Sequence, residues 1–195
     1  MIDLIIELVD ARVPLSSRNP DIDELGKNKA RLIILNKSDL AEERWNEAWT
    51  EYFKKKGFHV VKVNSRKGGG VKSVQSVIQE ACKAKIERDR KRGILNRPVR
   101  AMVVGIPNVG KSTFINSLAG KAAAKTGNKP GVTKGKQWIR LNKQVDVLDT
   151  PGILGQFEDQ TVGLRLALIG SIKDEVLQTE ELAAELIRFL AANYP

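Results

Sequence analysis

The 195-residue chain has one cysteine, one histidine and few aromatic residues, which make up 5% of it. These numbers exclude an internal disulfide framework and a structural zinc site built from cysteine and histidine. No apolar run is long enough to span a bilayer, and the first nine residues carry two acids and no basic segment, unlike a signal peptide. We therefore expect a soluble, cytoplasmic, monomeric domain with no membrane partner, in which Cys82 is an inert packing thiol.

Acidic residues are the minority among the charged ones, since 23 Asp and Glu face 33 Lys and Arg, for a formal net charge of +10. Such an excess favours an anionic partner, nucleic acid before membrane, although a basic surface also simply keeps a protein dispersed. The densest basic run covers residues 83–92. It is either a solvated helix end or a patch that faces RNA.

Short apolar runs alternate with helical patterns along the chain, which is typical of an α/β fold with a mostly parallel sheet and helices on both faces. The runs predict six strands, at residues 2–9, 31–35, 59–63, 100–104, 137–141 and 145–148, with a tight hairpin turn at Asn142 and Lys143. The helical patterns predict helices at 42–56, 71–92, 113–118, 161–169 and 180–193, the last capped by Thr179. In the first helix we expect Trp45, Trp49, Tyr52 and Phe53 to pack against the sheet.

Residues 105–112, GIPNVGKS, fit the pattern G-x-x-x-x-G-K-[ST] between an apolar strand and a helix, which is the context that a phosphate-binding P-loop requires. In such a loop the backbone N–H groups surround the phosphates, the lysine lies between the β- and γ-phosphates, and the serine binds Mg²⁺. The predicted phosphate site therefore comprises Asn108, Val109, Gly110, Lys111, Ser112 and Thr113.

Two further segments complete the predicted metal and γ-phosphate site. Asp149 ends a strand and begins the D-x-x-G sequence Asp149-Thr150-Pro151-Gly152, so its carboxylate can bind Mg²⁺ through water and the Gly152 N–H can reach the γ-phosphate. Thr133, in a polar, lysine-rich stretch, is the expected switch threonine on Mg²⁺, with Thr126 as the rival and an ordinary flexible loop as the alternative. Ser112, Thr133 and Asp149 are thus the expected Mg²⁺ ligands, and Lys111, Thr133 and Gly152 the expected catalytic residues.

Asn36-Lys37-Ser38-Asp39 follows a strand and matches Asn-Lys-x-Asp. An Asp carboxylate there can accept from two neighbouring donors of guanine, which adenine lacks, and a carboxylate buried without partners costs about 1–3 kcal/mol. Asn36 can tie this base loop to the P-loop, and the Lys37 stem can lie along the base. After the next strand, Asn64 and Ser65 begin a weaker motif, in which the Ser65 N–H contacts guanine O6; an ordinary loop is the alternative. Together these residues predict binding of GTP and GDP.

The motifs occur in the order base loop, O6 loop, P-loop, switch threonine, D-x-x-G, whereas ordinary GTPases place the P-loop first. This order, together with Asp10-Ala11-Arg12-Val13-Pro14, Ser16-Ser17-Arg18-Asn19-Pro20 and Phe157-Glu158-Asp159, resembles the circularly permuted bacterial GTPases that mature the large ribosomal subunit. The resemblance implies a P-loop GTPase fold and a GTP hydrolase that makes GDP and phosphate. It also implies partners in the precursor of the large (50S) subunit, both rRNA and ribosomal proteins. For Asp10 and Arg12, a local salt bridge and a functional role are equally open.

The resemblance also sets the expected domain organisation. Residues 1–155 would form the permuted GTPase domain, with base loops in 1–70, a basic helix and linker in 71–98, and the P-loop and switches in 99–155. Family members begin with a segment containing Pro-Gly-His and continue into a helical RNA-binding domain. We therefore expect an incomplete chain, with residues 156–195 as the start of that domain.

Hydrolysis is expected to be slow, because Ile153 stands where many GTPases have a glutamine that positions water. The missing element would come from the ribosome, from an absent segment, or from K⁺, which the residue at the position of Asn108 binds in similar GTPases. The alternative function is a nucleotide-gated RNA-binding scaffold with little hydrolysis of its own.

Overall fold

The computed structural model describes residues 1–124, 135–152, 154, 159–172 and 179–194. Within these ranges the chain forms one six-stranded sheet with the strand order β3-β2-β1-β4-β6-β5. Strand β5 is antiparallel to β6, and the remaining neighbours are parallel. The strands are β1 (Leu4–Asp10), β2 (Ala30–Asn36), β3 (His59–Val63), β4 (Val99–Val104), β5 (Gln137–Arg140) and β6 (Val145–Asp149). The predicted α/β fold, with a mostly parallel sheet, is confirmed.

Seven helices and one short 3₁₀ helix occupy the described residues. They are α1 (Asp21–Leu25), α2 (Glu43–Lys55), α3 (Val71–Ala81), α4 (Lys83–Lys91), α5 (Lys111–Ala119), α6 (Gln160–Leu168) and α7 (Thr179–Asn193), with the 3₁₀ turn at Ser38–Leu40. The sequence patterns did not predict α1. Thr179 is the first residue of α7 and not a residue that precedes it.

Two of the predicted details are wrong. The helix expected over 71–92 is two helices, because the chain departs from helical geometry at Cys82, which is 2% exposed and packs in the core. Trp45 was expected in the core, but it is 54% exposed and only Phe53 of that aromatic set is fully buried. The connection between β5 and β6 spans residues 141–144. Within it, the Asn142 side chain accepts hydrogen bonds from the N–H groups of Gln144 and Val145.

Both faces of the sheet are covered, which is why β1 is buried along its entire length, its charged residues Glu7 and Asp10 included. Helices α3, α5 and α6 pack on one face, over a core that includes Phe114, Ile115 and Leu166. Helix α2 packs on the other face through Phe53, and Ile22 of α1 joins a smaller cluster there. None of the helices in the described part of the chain reaches the length and hydropathy that a bilayer-spanning segment requires.

Candidate functional site

The carboxyl ends of β2 and β4 bring the base loop and the P-loop together through Asn36. This side chain is 2% exposed and donates from Nδ2 to the Val109 carbonyl at 2.8 Å. Its Oδ1 accepts from the Ser65 N–H at 3.2 Å and from the Ser65 hydroxyl at 2.7 Å. One amide therefore joins three loops that lie far apart in the sequence. Gly110 has φ 99°, and a Cβ there would lie 2.6 Å from Asn36 Nδ2, so this joint also requires a glycine.

Lys37 makes a second connection between the base loop and the P-loop. Its backbone has φ 57°, and its ammonium donates to the Asn108 carbonyl at 3.0 Å. The same ammonium lies 3.0 Å from Oδ2 of Asp10, at the end of β1. Asp10 is fully buried and also pairs with Arg12 through two hydrogen bonds of 2.8 Å. Despite its burial, hydrogen bonds and charge interactions with Arg12 and Lys37 keep the pKa of Asp10 below its usual value.

The Asp10–Arg12 pair is therefore a local salt bridge, and it is also part of the contact that positions Lys37. The sequence left these two roles open, because nothing in the spacing of Asp10 and Lys37 shows that β1 and β2 are neighbours with Asp10 opposite Asn36. With two cations on one buried carboxylate, Asp10 fixes the Lys37 stem at the start of the base loop.

Asp39 lies in the 3₁₀ turn that follows, and its side chain is exposed at the carboxyl edge of the sheet. Asn46 of α2 stabilises this turn: its side chain is 1% exposed and donates to the Ser38 carbonyl at 2.9 Å. Sequence reasoning missed Asn46. Its only local signal was a polar residue on the buried side of an amphipathic helix.

Lys111 and Asp149 are two buried charged side chains beside the P-loop. Lys111 is 7% exposed, and its ammonium donates to the carbonyls of Gly105 and Ile106 at 3.0 and 2.9 Å. Asp149 is 2% exposed, and its Oδ1 has no hydrogen-bond partner among the described residues. Burial raises the pKa of Asp149, while the charge of Lys111 opposes that rise. The unsatisfied oxygen of this buried carboxylate fits a divalent cation, either as a direct ligand or through a water of the cation.

Gly152 approaches the P-loop so closely that no side chain fits there. A Cβ on this residue would lie 2.8 Å from Pro107 Cα and 2.9 Å from the Lys111 ammonium. The preceding Thr150 is anchored to β4, since its hydroxyl donates to the Val103 carbonyl at 2.7 Å. The D-x-x-G segment and the P-loop are therefore in contact at the lysine. Thr133, its rival Thr126 and Ile153 lie outside the described residues.

Ser112 and Thr113 lie in the first turn of α5, directly after the loop, so the helix presents its amino end at the same place. Asn108 has φ 58°, and its side-chain Nδ2 donates to the Gly170 carbonyl at 2.7 Å. Gly170 follows α6, and no pattern in the sequence predicted this contact between the P-loop and the C-terminal helices. The Oδ1 atom of Asn108 is not used in this bond.

The pKa of Lys111 provides a prediction for nucleotide binding. Burial lowers it to about 8, with a smaller opposing effect of Asp149. A phosphate beside the ammonium raises this pKa again, so binding takes up a proton above about pH 8. We expect GDP affinity to be flat between about pH 7 and 8 and to fall by up to tenfold per pH unit between about 8 and 10.

Calorimetric titration of GDP across that range measures the effect, with Lys111→Arg as a control whose charge does not titrate. Parent affinity that stays constant to about pH 10 would contradict the assignment. For the ligand-free fold the sign is the opposite. Between about pH 8 and the ordinary lysine pKa of 10.5, the unfolded chain holds the extra proton, so Lys111 makes stability rise with pH.

Known proteins match this chain along its whole length. Residues 100–191 match the family described as 50S ribosome-binding GTPase. The chain is 50% identical to ribosome biogenesis GTPase A of Bacillus cereus and 48% identical to that of Priestia megaterium, over 100% of its own length and 66% and 68% of theirs. The GNP-bound crystal structure of YlqF from T. maritima has a TM-score of 0.67 at 30% identity, covering 98% of this chain and 70% of that one. The chain thus spans about two thirds of the length of these relatives.

Proposed function

Since this chain belongs to the ribosome biogenesis GTPase A family, we propose that it is a switch in the late assembly of the large (50S) ribosomal subunit. It binds GTP, hydrolyses it slowly to GDP and phosphate, and is stimulated by the ribosome. The observation that carries this proposal is the Asn36 side chain, which holds the Asn-Lys-x-Asp loop, the Ser65 loop and the P-loop in one place. A guanine-nucleotide pocket requires these three loops to lie together, and the Asn36 side chain joins them although the motifs are permuted along the chain.

The proposed roles follow the geometry of the described residues. Asp39 accepts from the guanine donors, the Lys37 stem lies along the base, and the N–H of Ser65 contacts O6, with Asn64 and Ser38 shaping their loops. The N–H groups from Asn108 to Thr113 surround the phosphates. Lys111, which already donates to two carbonyls of the loop, exchanges these partners for phosphate oxygens. Gly152 brings its N–H to the γ-phosphate, because its backbone lies against this lysine.

Mg²⁺ is the metal that GTP hydrolysis in this family implies, and it would be held by Ser112, Thr133 and Asp149. The buried, unpartnered Oδ1 of Asp149 supports this assignment. When bound, Mg²⁺ neutralises charge that develops on the phosphate oxygens. Lys111 and the loop amides stabilise the same charge from the other side, while Ile153 offers no group to orient water, which is why intrinsic turnover is slow.

The organisation of the chain is part of the proposal. Residues 1–155 make up the permuted GTPase domain, and residues 156–195, whose described part forms α6 and α7, belong to an RNA-binding region. In the described part of that region α7 carries exposed apolar side chains, among them Ile187 and Phe189, which are 66% and 56% exposed. The protein acts as a monomer in the cytoplasm on a precursor of the large subunit, with rRNA and ribosomal proteins as its contacts.

Co-sedimentation with large-subunit precursors tests this function. We expect the protein to sediment with the particles in the presence of a non-hydrolysable GTP analogue and to remain in the supernatant with GDP. Asp39→Asn, which loses the nucleotide, should abolish the difference. Equal sedimentation in both nucleotides would exclude a switch.

The alternative, a nucleotide-gated RNA scaffold with little hydrolysis, is favoured by Ile153 alone. Single-turnover phosphate release on the particles separates the two functions, since only a stimulated GTPase releases phosphate faster when particles are present. Release at the same slow rate with and without particles would favour the scaffold.

Potassium dependence is a further expected result. The Nδ2 atom of Asn108 is held by the Gly170 carbonyl, so the amide is oriented and Oδ1 remains for a monovalent cation beside the phosphates. We expect hydrolysis in K⁺ to be roughly ten times faster than in Na⁺, a difference of about 1.4 kcal/mol in barrier. Asn108→Ala should remove this difference. Equal rates in the two salts, measured by phosphate release, would exclude the K⁺ site.

A further inference from the structure

Helix α4 is fixed to the amino ends of the strands by a small ion cluster. Asp3 directly precedes β1, and its carboxylate accepts from the Arg100 N–H at 3.0 Å and lies 3.3 and 3.4 Å from the cationic groups of Arg97 and Lys85. Asp89 pairs with Lys85 at 2.6 Å and with Arg97 at 3.8 Å. In this cluster two cations balance two carboxylates, so it fixes the position of α4 without adding net charge.

The remaining charges of the helix are strongly basic and face solvent. Outside the ion cluster, residues 83–92 contain five exposed cations and one acid, Glu87. The cations are Lys83, Arg88, Arg90, Lys91 and Arg92. None of these five forms an ion pair with another described residue. We call this set of five side chains the α4 basic face.

Neither packing nor helix stability explains the α4 basic face. The helix has no fully buried residue and contacts the core through the partly buried Ile86. Arg88 stands three and four residues before Lys91 and Arg92, and like charges at these spacings destabilise a helix. The helix dipole places about half a negative charge at the carboxyl end, which favours a nearby cation but not five.

We propose that the α4 basic face is a docking surface for the phosphate backbone of RNA. A cluster of cations that repel each other on a fixed helix is stabilised when a polyanion neutralises it. Residues 83–98 contain no aromatic residue on which a base could stack, so the contact is with phosphates and does not read the sequence. This inference rests on the proposed ribosomal partner and assigns one of its contacts to a particular surface.

The docking surface is separate from the nucleotide site. Helix α4 leads into the amino end of β4, and the P-loop follows the carboxyl end of the same strand. The six residues of β4 span about 20 Å at about 3.3 Å per residue. RNA on α4 therefore does not compete with GTP, and charge removal there leaves nucleotide binding unchanged.

The test removes three of the cations in Arg88→Ala/Lys91→Ala/Arg92→Ala, in which alanine preserves the helix. The matched control removes three exposed lysines on separate elements, Lys72→Ala/Lys121→Ala/Lys143→Ala, with the same loss of net charge. Binding is measured by filter retention over a range of salt concentrations, with a duplex hairpin from large-subunit rRNA and an unrelated hairpin of equal length.

We expect the α4 variant to bind both hairpins roughly ten- to hundredfold more weakly near 0.1 M salt, and the slope of log affinity against log salt to fall by about 2 to 3. The control should change much less, and GDP affinity should be the same in all three proteins. Equal losses in both variants would mean that only net charge matters and would overturn the inference. So would a loss seen with phosphatidylserine vesicles but not with RNA. If the parent binds neither hairpin, the proposed ribosomal function itself fails.

Discussion

Asp39→Asn is expected to weaken GDP and GTP binding by about 100-fold or more and to strengthen binding of xanthosine nucleotides. In the proposed base site the carboxylate accepts two hydrogen bonds from guanine, and a hydrogen bond to a charged group contributes about 1.5–3 kcal/mol. Two such bonds amount to 3 kcal/mol or more, and about 1.4 kcal/mol corresponds to tenfold in affinity. An asparagine amide instead donates to the carbonyl that xanthine has in place of the guanine amino group.

Competition between fluorescent GDP and either xanthosine or guanosine diphosphate measures this change of preference. Asp21→Asn is the matched control, because it neutralises an exposed carboxylate on α1, away from the carboxyl edge of β2. An Asp39→Asn protein that prefers guanine as strongly as its parent would overturn the base-site assignment and, with it, the proposed switch.

Asn36→Ala is expected to affect both stability and nucleotide binding. The substitution leaves the Val109 carbonyl and the Ser65 N–H without their buried partner, at about 1–3 kcal/mol for each group. We therefore expect the free energy of unfolding to fall by about 2–5 kcal/mol. The same loss separates the base loop from the P-loop, and GDP affinity should fall by roughly 100-fold.

Urea unfolding and GDP titration measure the two effects. Asn142→Ala is the control, since the side chain of this asparagine also accepts two hydrogen bonds, here from two backbone N–H groups, but lies in the β5–β6 connection. Its loss should leave GDP affinity unchanged. Should Asn36→Ala fail to fold, Ser65→Ala removes only the hydroxyl donor and should weaken GDP binding several-fold. Normal GDP affinity in Ser65→Ala and a stable Asn36→Ala would both contradict the role of this joint.

The positions of the strands and of the motifs along the chain were predictable because both follow from short-range chemistry. An apolar run flanked by turn residues specifies a strand, and a P-loop needs Lys111 and Gly110 at fixed spacing whatever the rest of the chain does. The base loop could be placed for the same reason, since it directly follows the apolar run that became β2.

The contacts that the sequence did not predict depend on which elements become neighbours. Lys37 meets Asp10 only because β1 and β2 are adjacent in register. The break at Cys82 has no glycine or proline to predict it: Cys82 packs in the core, and α4, which follows it, contacts Asp3 through Lys85. Trp45 fits the amphipathic pattern of α2, but it lies in the first turn of this helix, where its ring contacts the Arg44 guanidinium and stays exposed.

The hydrogen bond between Asn108 and Gly170 links the P-loop to the turn that follows α6. One such bond contributes about 0.5–1.5 kcal/mol, which changes the ratio of two arrangements by roughly two- to twelvefold. A link of that strength is enough to favour one position of α6, and the binding of a single ligand is enough to break it. Because the motifs are permuted, this link connects the P-loop to the helices that follow β6.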